Sequence, residues 1–141
     1  MNKLLLVSVI VVLVLGCFGY VENSSARGAP FLGMASWYSR RDPGVLKTTA
    51  NMEKFDDKKL TCAMWAVPFN TFVEVRNLSN NKSVVVRVND RGPAKRLFRR
   101  GRIIDLTKEA FSQIAHPKEG LISVKVTVLS ENSKTFSFNS L

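Results

Sequence analysis

Ser83-Val84-Val85-Val86-Arg87-Val88-Asn89-Asp90-Arg91-Gly92-Pro93 is the stretch whose reading decides the fold. Val84, Val86 and Val88 alternate with Ser83, Val85 and Arg87, which is the period of a half-buried β-strand. Gly92-Pro93 ends the ladder, because proline has no N–H to give and glycine accepts a sharp bend. A strand that leaves through such a turn sets the Asp90 carboxyl at its exit, where it can face a groove. The same adjacency allows a plainer outcome, a local ion pair between Asp90 and Arg91.

Outward from this strand the pattern continues. Phe72 to Leu78 alternates Val73 and Val75 with Glu74 and Arg76, and Ser79-Asn80-Asn81-Lys82 is a hairpin turn joining the two. Downstream, Arg102 to Asp105 reads as a short strand. Thr107 can cap a helix over Lys108–Ile114, with Glu109 well placed in its first turn. Gly120 opens a last strand, where Ile122, Val124, Val126 and Val128 alternate with Ser123, Lys125 and Thr127. Upstream, Gly33 to Tyr38 is a first strand, Arg41-Asp42-Pro43-Gly44 a turn, and Leu60 to Val67 a second strand closed by Pro68. A mainly β domain with six or so short strands and one clear helix follows. Closing the strands into a small barrel best hides their edges. A helical bundle is excluded, since only one segment has both helical length and a cap.

The chain of 141 residues supports one domain, and its 45% hydrophobic content is that of a globular protein. Lys and Arg number 21 against 11 acids, giving +10, with the excess concentrated in Arg87, Arg91, Lys95, Arg96, Arg99, Arg100 and Arg102. Such a run suits nucleic acid, a solvated face, or another polyanion. The N-terminus decides between them. After Lys3, Leu4 to Leu15 is an apolar run too short for a spanning helix of about 20 residues, and it fits a secretory signal. Val14-Leu15-Gly16-Cys17 resembles a bacterial lipobox, with Cys17 the residue that would carry lipid; ordinary secretion or an uncleaved anchor is the alternative. Export removes nucleic acid as a partner. The expected organisation is a leader over 1–17, a flexible tether over 18–32, the domain over 33–129 and a disordered tail over 130–141.

With Cys17 lipidated, Cys62 has no partner and reads as a small buried hydrophobe. His116, the one histidine, lies far from it and cannot make a Cys-His pair, a Ser-His-Asp triad or a zinc site. No phosphate-binding glycine loop is present, and no metal or cofactor is expected. Carboxylates remain. Glu53, Asp90 and Asp105 sit at loop or strand ends, whereas Glu74 and Glu109 read as solvated faces. Carboxylates beside the flat rings of Trp37 and Tyr38 point to sugar chemistry, because cleaving a glycosidic bond needs a proton donor for the leaving oxygen. Both rings could instead belong to the barrel core.

Five stretches then occur in order: Gly33-Met34-Ala35-Ser36-Trp37-Tyr38; Thr49-Ala50-Asn51-Met52-Glu53-Lys54-Phe55; Leu60-Thr61-Cys62-Ala63-Met64 with Pro68-Phe69; Asn89-Asp90-Arg91-Gly92-Pro93; and Arg102-Ile103-Ile104-Asp105-Leu106-Thr107. Together they resemble the successive motifs of the RlpA (rare lipoprotein A)-like lytic transglycosylases, over about residues 33–129. The resemblance implies a six-stranded double-psi β-barrel related to expansins, with one or two short helices. It implies a lipid-anchored protein of the bacterial envelope that cuts peptidoglycan glycan strands, preferably those stripped of stem peptides, forming 1,6-anhydro-MurNAc ends. Cell-division or other envelope proteins are further partners in that picture. The family's catalytic aspartate falls on Asp90 and its active-site glutamate on Glu53, which would help keep Asp90 protonated. Trp37, Tyr38, Asn51, Met64, Asn89, Arg91 and Asp105 are the expected substrate-binding residues. The sequence departs from the family at Met64, where a histidine is usual, and at Met52, where glycine is. A thioether cannot shuttle a proton, so an expansin-like module that grips wall glycan without cutting it is the alternative.

Overall fold

The computed structural model describes residues 28–129. The leader with Cys17, most of the tether and the tail over 130–141 lie outside the described residues.

Six strands close into a barrel in the order β1-β5-β2-β4-β3-β6. They are β1 (Phe31–Tyr38), β2 (Thr61–Met64), β3 (Phe72–Asn77), β4 (Ser83–Asp90), β5 (Arg102–Thr107) and β6 (Leu121–Val128), with short helices α1 (Lys95–Phe98) and α2 (Lys108–Ile114) between. β1 runs parallel to β5 and β2 parallel to β4, while the other pairs are antiparallel. These two parallel pairings, made by crossing connections, are the double-psi arrangement. The alternation read in the sequence fills the interior: Val73 and Val75, Val84, Val86 and Val88, and Ile122, Val124 and Val126 meet in one core with Phe111 and Ile114 of α2. Thr107 caps α2 by accepting from the Ala110 N–H. Asn77, fully buried, fixes the far end of that helix by donating from Nδ2 to the Ile114 carbonyl at 2.9 Å.

Two irregularities shape what lies at the barrel's mouth. Cys62 faces Val88 and Ala63 faces Asp90, so Asn89 is an extra residue in β4. Met34 faces Arg102 and Ala35 faces Ile104, so Ile103 is an extra residue in β5. A bulge of this kind bends its strand and re-aims the side chains beyond it. β4 accordingly continues to Asp90 instead of stopping at Val88. β2 is shorter than expected and ends at Met64 instead of Val67. The next carbonyls are taken by a side chain, described below, and not by a neighbouring strand. α1 carries no buried residue, which is why no apolar periodicity announces it.

The bulge in β5 makes Gly33 indispensable. A Cβ there would stand 2.7 Å from Ile103 Cγ2 and 2.8 Å from the Gly101 carbonyl. Since the Gly101 carbonyl also accepts from the Met34 N–H at 2.8 Å, it cannot withdraw freely. Gly33→Ala is expected to cost about 1–3 kcal/mol through overpacking, which thermal unfolding should read as a fall on the order of 10 °C.

Candidate active site

Ala63 organises the site. It pairs with Asp90 on one side and with Asp105 on the other. Strands lie about 4.8 Å apart, so the two carboxylates flank a single methyl group on one face of the sheet. Gly92 completes the clearance: a Cβ at that position would be 3.1 Å from the Ala63 Cβ and 3.6 Å from Asp105 Oδ2. The result is a groove of about 530 Å³ with Asp90, Asp105 and Tyr38 in its lining and Leu46 and Leu97 among its apolar walls.

Asp90 is held by backbone donors. Its Oδ1 accepts from the Ala50 N–H at 2.9 Å and the Arg91 N–H at 2.8 Å. Those bonds fix the carboxyl plane and leave Oδ2 as the oxygen available to the groove. The ion pair allowed by the sequence does not form. Arg91 Nη1 donates to the Met64 carbonyl at 2.7 Å and the Val67 carbonyl at 2.9 Å, and its guanidinium lies 3.8 Å over the Phe69 ring. Arg91 borders the groove, but its guanidinium is a structural tie and not the substrate ligand expected of it.

Asp105 accepts at Oδ1 from Arg102 Nε at 2.6 Å. Burial raises its pKa above the usual carboxylate value; Arg102 opposes this, and the Asp90 charge adds to it. Tyr38, stacked on Phe55 with ring centroids 4.8 Å apart, puts a buried hydroxyl beside these carboxylates. Burial first, then the charge of Asp90, pushes its pKa well up, so it remains a neutral O–H. That hydroxyl feels Asp90 closely but reaches no acceptor in ordinary hydrogen-bond geometry among the described residues. Its nearest charged neighbour is the Asp90 carboxyl, and the hydroxyl itself is closed to solvent.

Glu53 is placed differently from expectation. It does not line the groove. Its two oxygens take Arg87 Nη1 and Nη2 at 2.7 Å each, Asn51 Nδ2 donates to Oε1 at 2.8 Å, and Asn89 Nδ2 donates to Oε2 at 3.3 Å. Arg87 is the main cause that lowers its pKa to about 2. Glu53 is thus a fixed anion whose charge is answered by Arg87; the carboxylate that shares the groove with Asp90 is Asp105. Glu53 acts instead as a clamp. It pins the loop over residues 49–53 against β4, and that loop delivers the Ala50 N–H to Asp90. Asn51 is spent within the clamp, also accepting from Thr49 Oγ1 at 2.6 Å. Asn89, only 3% exposed, cannot reach substrate.

The clamp has a pH signature. Glu53's pKa falls from 4.5 to about 2 on folding. A depressed carboxylate contributes stability that is complete above the unfolded value and is lost as pH drops through the folded one. Unfolding midpoints should therefore decline between about pH 4.5 and pH 2, and Glu53→Gln should remove that part of the decline in an acid titration followed by circular dichroism.

Two more expectations are corrected. Met64 is 1% exposed and points into the barrel with Cys62, because on β2 it is Ala63 that faces the groove. Trp37 lies on the opposite side of β1 from Tyr38. Its Nε1 donates to the Pro117 carbonyl at 2.9 Å, its ring packs on the core, and the Lys108 ammonium lies 5.6 Å above it. Besides Tyr38, the aromatic residue nearest the groove's wall is Trp65, whose Nε1 donates to the carbonyl of the wall residue Pro93 at 2.8 Å. The signal for it was a tryptophan just past a run of core residues, where the strand has ended. α1 and the turn after it follow Pro93 and add Lys95, Arg96, Arg99 and Arg100, all exposed and none in an ion pair among the described residues. Cys62 is sealed in the core, where burial pushes its thiol pKa up. Among the described residues no cluster of acids, histidine and cysteine is arranged to hold a metal.

A family described as lytic transglycolase matches residues 31–126. The chain is 43% identical over 120 residues to the endolytic peptidoglycan transglycosylase RlpA of Campylobacter jejuni, covering 85% of this chain and 42% of that protein. It is 40% identical over 108 residues to the protein of the same name from Rickettsia felis, covering 76% and 46%. The chain thus spans less than half the length of these relatives. Among solved structures, a Streptomyces papain inhibitor aligns with a TM-score of 0.57 at 20% identity, over 74% of this chain and 98% of that one. A Clavibacter michiganensis expansin variant in complex with cellohexaose aligns with a TM-score of 0.54 at 17% identity, over 72% and 51%. These two likenesses concern the fold alone.

Proposed function

Because the chain belongs to the lytic transglycolase family of double-psi β-barrels, we propose that it cleaves peptidoglycan glycan strands between MurNAc and GlcNAc, without water, leaving a 1,6-anhydro-MurNAc end. The observation that carries this reading is the Asp90 carboxyl on the bulged end of β4, fixed through one oxygen and open through the other to a groove it shares with Asp105.

Asp90 in its acid form gives its proton to the glycosidic oxygen as the bond from MurNAc C1 to that oxygen breaks. The electron-poor C1 is then attacked by the C6 hydroxyl of the same sugar. The hydroxyl proton returns to the Asp90 carboxylate, so the group ends as it began and no water is consumed. A single positioned acid–base group contributes about 10²–10⁴-fold. Tyr38 keeps a neutral hydroxyl against the Asp90 carboxyl, and Leu46 and Leu97 offer apolar walls to sugar faces. Glu53, Asn51 and Asn89 act through the loop that holds Asp90. Met64 lies in the core, so the missing histidine leaves the groove's own acid in place.

We further propose that Cys17 is lipidated and tethers the domain within the bacterial envelope, on the strength of the apolar Leu4–Leu15 run before it. The cations of α1 and of the turn after it then meet the lactyl carboxylates of strands stripped of stem peptides. Two measurements test the reading. Purified protein incubated with peptidoglycan strands should release anhydro-muramyl products, at a rate that falls as salt screens α1 over a Debye length of about 10 Å at 0.1 M. Labelled palmitate should enter the intact chain and not the Cys17→Ser variant. Binding of strands with no product would replace the enzyme by a non-cutting wall-binding module.

A further inference from the structure

β2 is buried along its whole length, and the residue after it, Trp65, leaves the barrel and is 43% exposed. Its position is fixed from three sides. The indole N–H is bonded to the Pro93 carbonyl, and Pro93 is part of the wall of the Asp90 groove. The carbonyls of Met64 and Val67, which bracket Trp65 in the chain, are both held by Arg91 Nη1. Indole has no other polar atom, so with the N–H engaged what Trp65 shows to solvent is apolar carbon. A large aromatic surface, rigidly anchored at the rim of a groove, is poorly explained by packing: Trp65 is not among the residues that pack against the core, whereas Trp37 is.

We propose that Trp65 is a carbohydrate subsite, a platform on which the apolar face of a pyranose ring stacks, and that it extends the Asp90 groove past Pro93. The proposal rests on the glycan-cleaving reading and adds to it a subsite one or more sugars from the cut bond. The engaged N–H leaves the platform with no donor toward the ligand, so it selects a ring face and not a substituent. Its contribution is to binding shared by substrate and transition state, which shows in KM and leaves kcat alone. Aromatic contacts of this kind are worth about tenfold in affinity.

The chain has two tryptophans, so Trp37→Phe leaves Trp65 as the sole reporter. In that background with Asp90→Asn, titration with uncrosslinked glycan strands should give a saturable change in tryptophan emission. In the otherwise unaltered chain, Trp65→Ala should raise KM about tenfold with kcat within about twofold, and Trp65→Phe should recover most of the loss. Strand binding with silent emission, or an unchanged KM in Trp65→Ala, would overturn the platform. The two readings fail separately: cleavage with a silent Trp65 removes the platform and keeps the enzyme, whereas a responsive Trp65 in a protein that releases no product keeps the platform and removes the enzyme.

Discussion

Asp90→Asn should reduce anhydro-muramyl product release by about 10²–10⁴-fold while leaving strand binding and the unfolding midpoint nearly unchanged. The substitution is chosen for what it preserves. Asn keeps an oxygen in the place of Oδ1, so the N–H groups of Ala50 and Arg91 retain their acceptor and the loop over residues 49–53 keeps its seat. What disappears is the proton that Oδ2 could give and take back. An amide can do neither at neutral pH, and no other group in the groove is placed to replace it fully. Asp105 is tied to Arg102 at 2.6 Å, and Tyr38 holds its proton too tightly to give it up as the acid. Full activity in Asp90→Asn would move the acid to Asp105.

Arg91→Ala should be the most destabilising single change at the site. It removes the donor to two carbonyls, Met64 and Val67, and a cation stacked 3.8 Å over Phe69. An acceptor left unpaired in a partly buried place costs about 1–3 kcal/mol, and an exposed cation–π contact adds about 0.5–1 kcal/mol. The expected loss is about 2–4 kcal/mol, read as a lowered urea midpoint with an unchanged slope. Arg91→Lys should recover only a part, because an ammonium lacks the planar fork that stacks on a ring while donating along its edge. Both variants free the segment that carries Trp65, so KM should rise in each even where the folded protein is recovered. A midpoint within experimental error of the parent would show that these contacts contribute nothing.

The barrel was legible because its strands advertise themselves. Val84, Val86 and Val88 alternate without a break, β3 and β6 do likewise, and Thr107 stands where a helix cap belongs. The acid at the strand exit was legible for the same reason. Its surroundings were not. A bulge adds one residue without disturbing hydrophobicity, so nothing in the order of letters shows that Asn89 slips out of register and turns Asp90 toward Ala63. Chain neighbours misled: Arg91 sits beside Asp90 in sequence yet reaches back to Met64 and Val67. Partners far apart in the chain, Arg87 with Glu53 and Asp90 with Asp105, depend on which strands lie side by side, and alternation does not encode that. β2 is buried on every residue, so its pattern could not say that Ala63, and not Met64, faces the groove. Trp37 and Trp65 are alike as letters and differ only in what covers them.

The most direct test is the fate of oxygen at the cut bond. Digestion of peptidoglycan strands in heavy-oxygen water, followed by mass spectrometry of the new MurNAc ends, distinguishes attack by the C6 hydroxyl from attack by water. With Asp90 as a single acid–base group and no water activated, the ends should be lighter than the hydrolytic product by one water and carry no heavy oxygen. Reducing ends that carry the label would contradict the account, since they would require a second group in the groove to activate water.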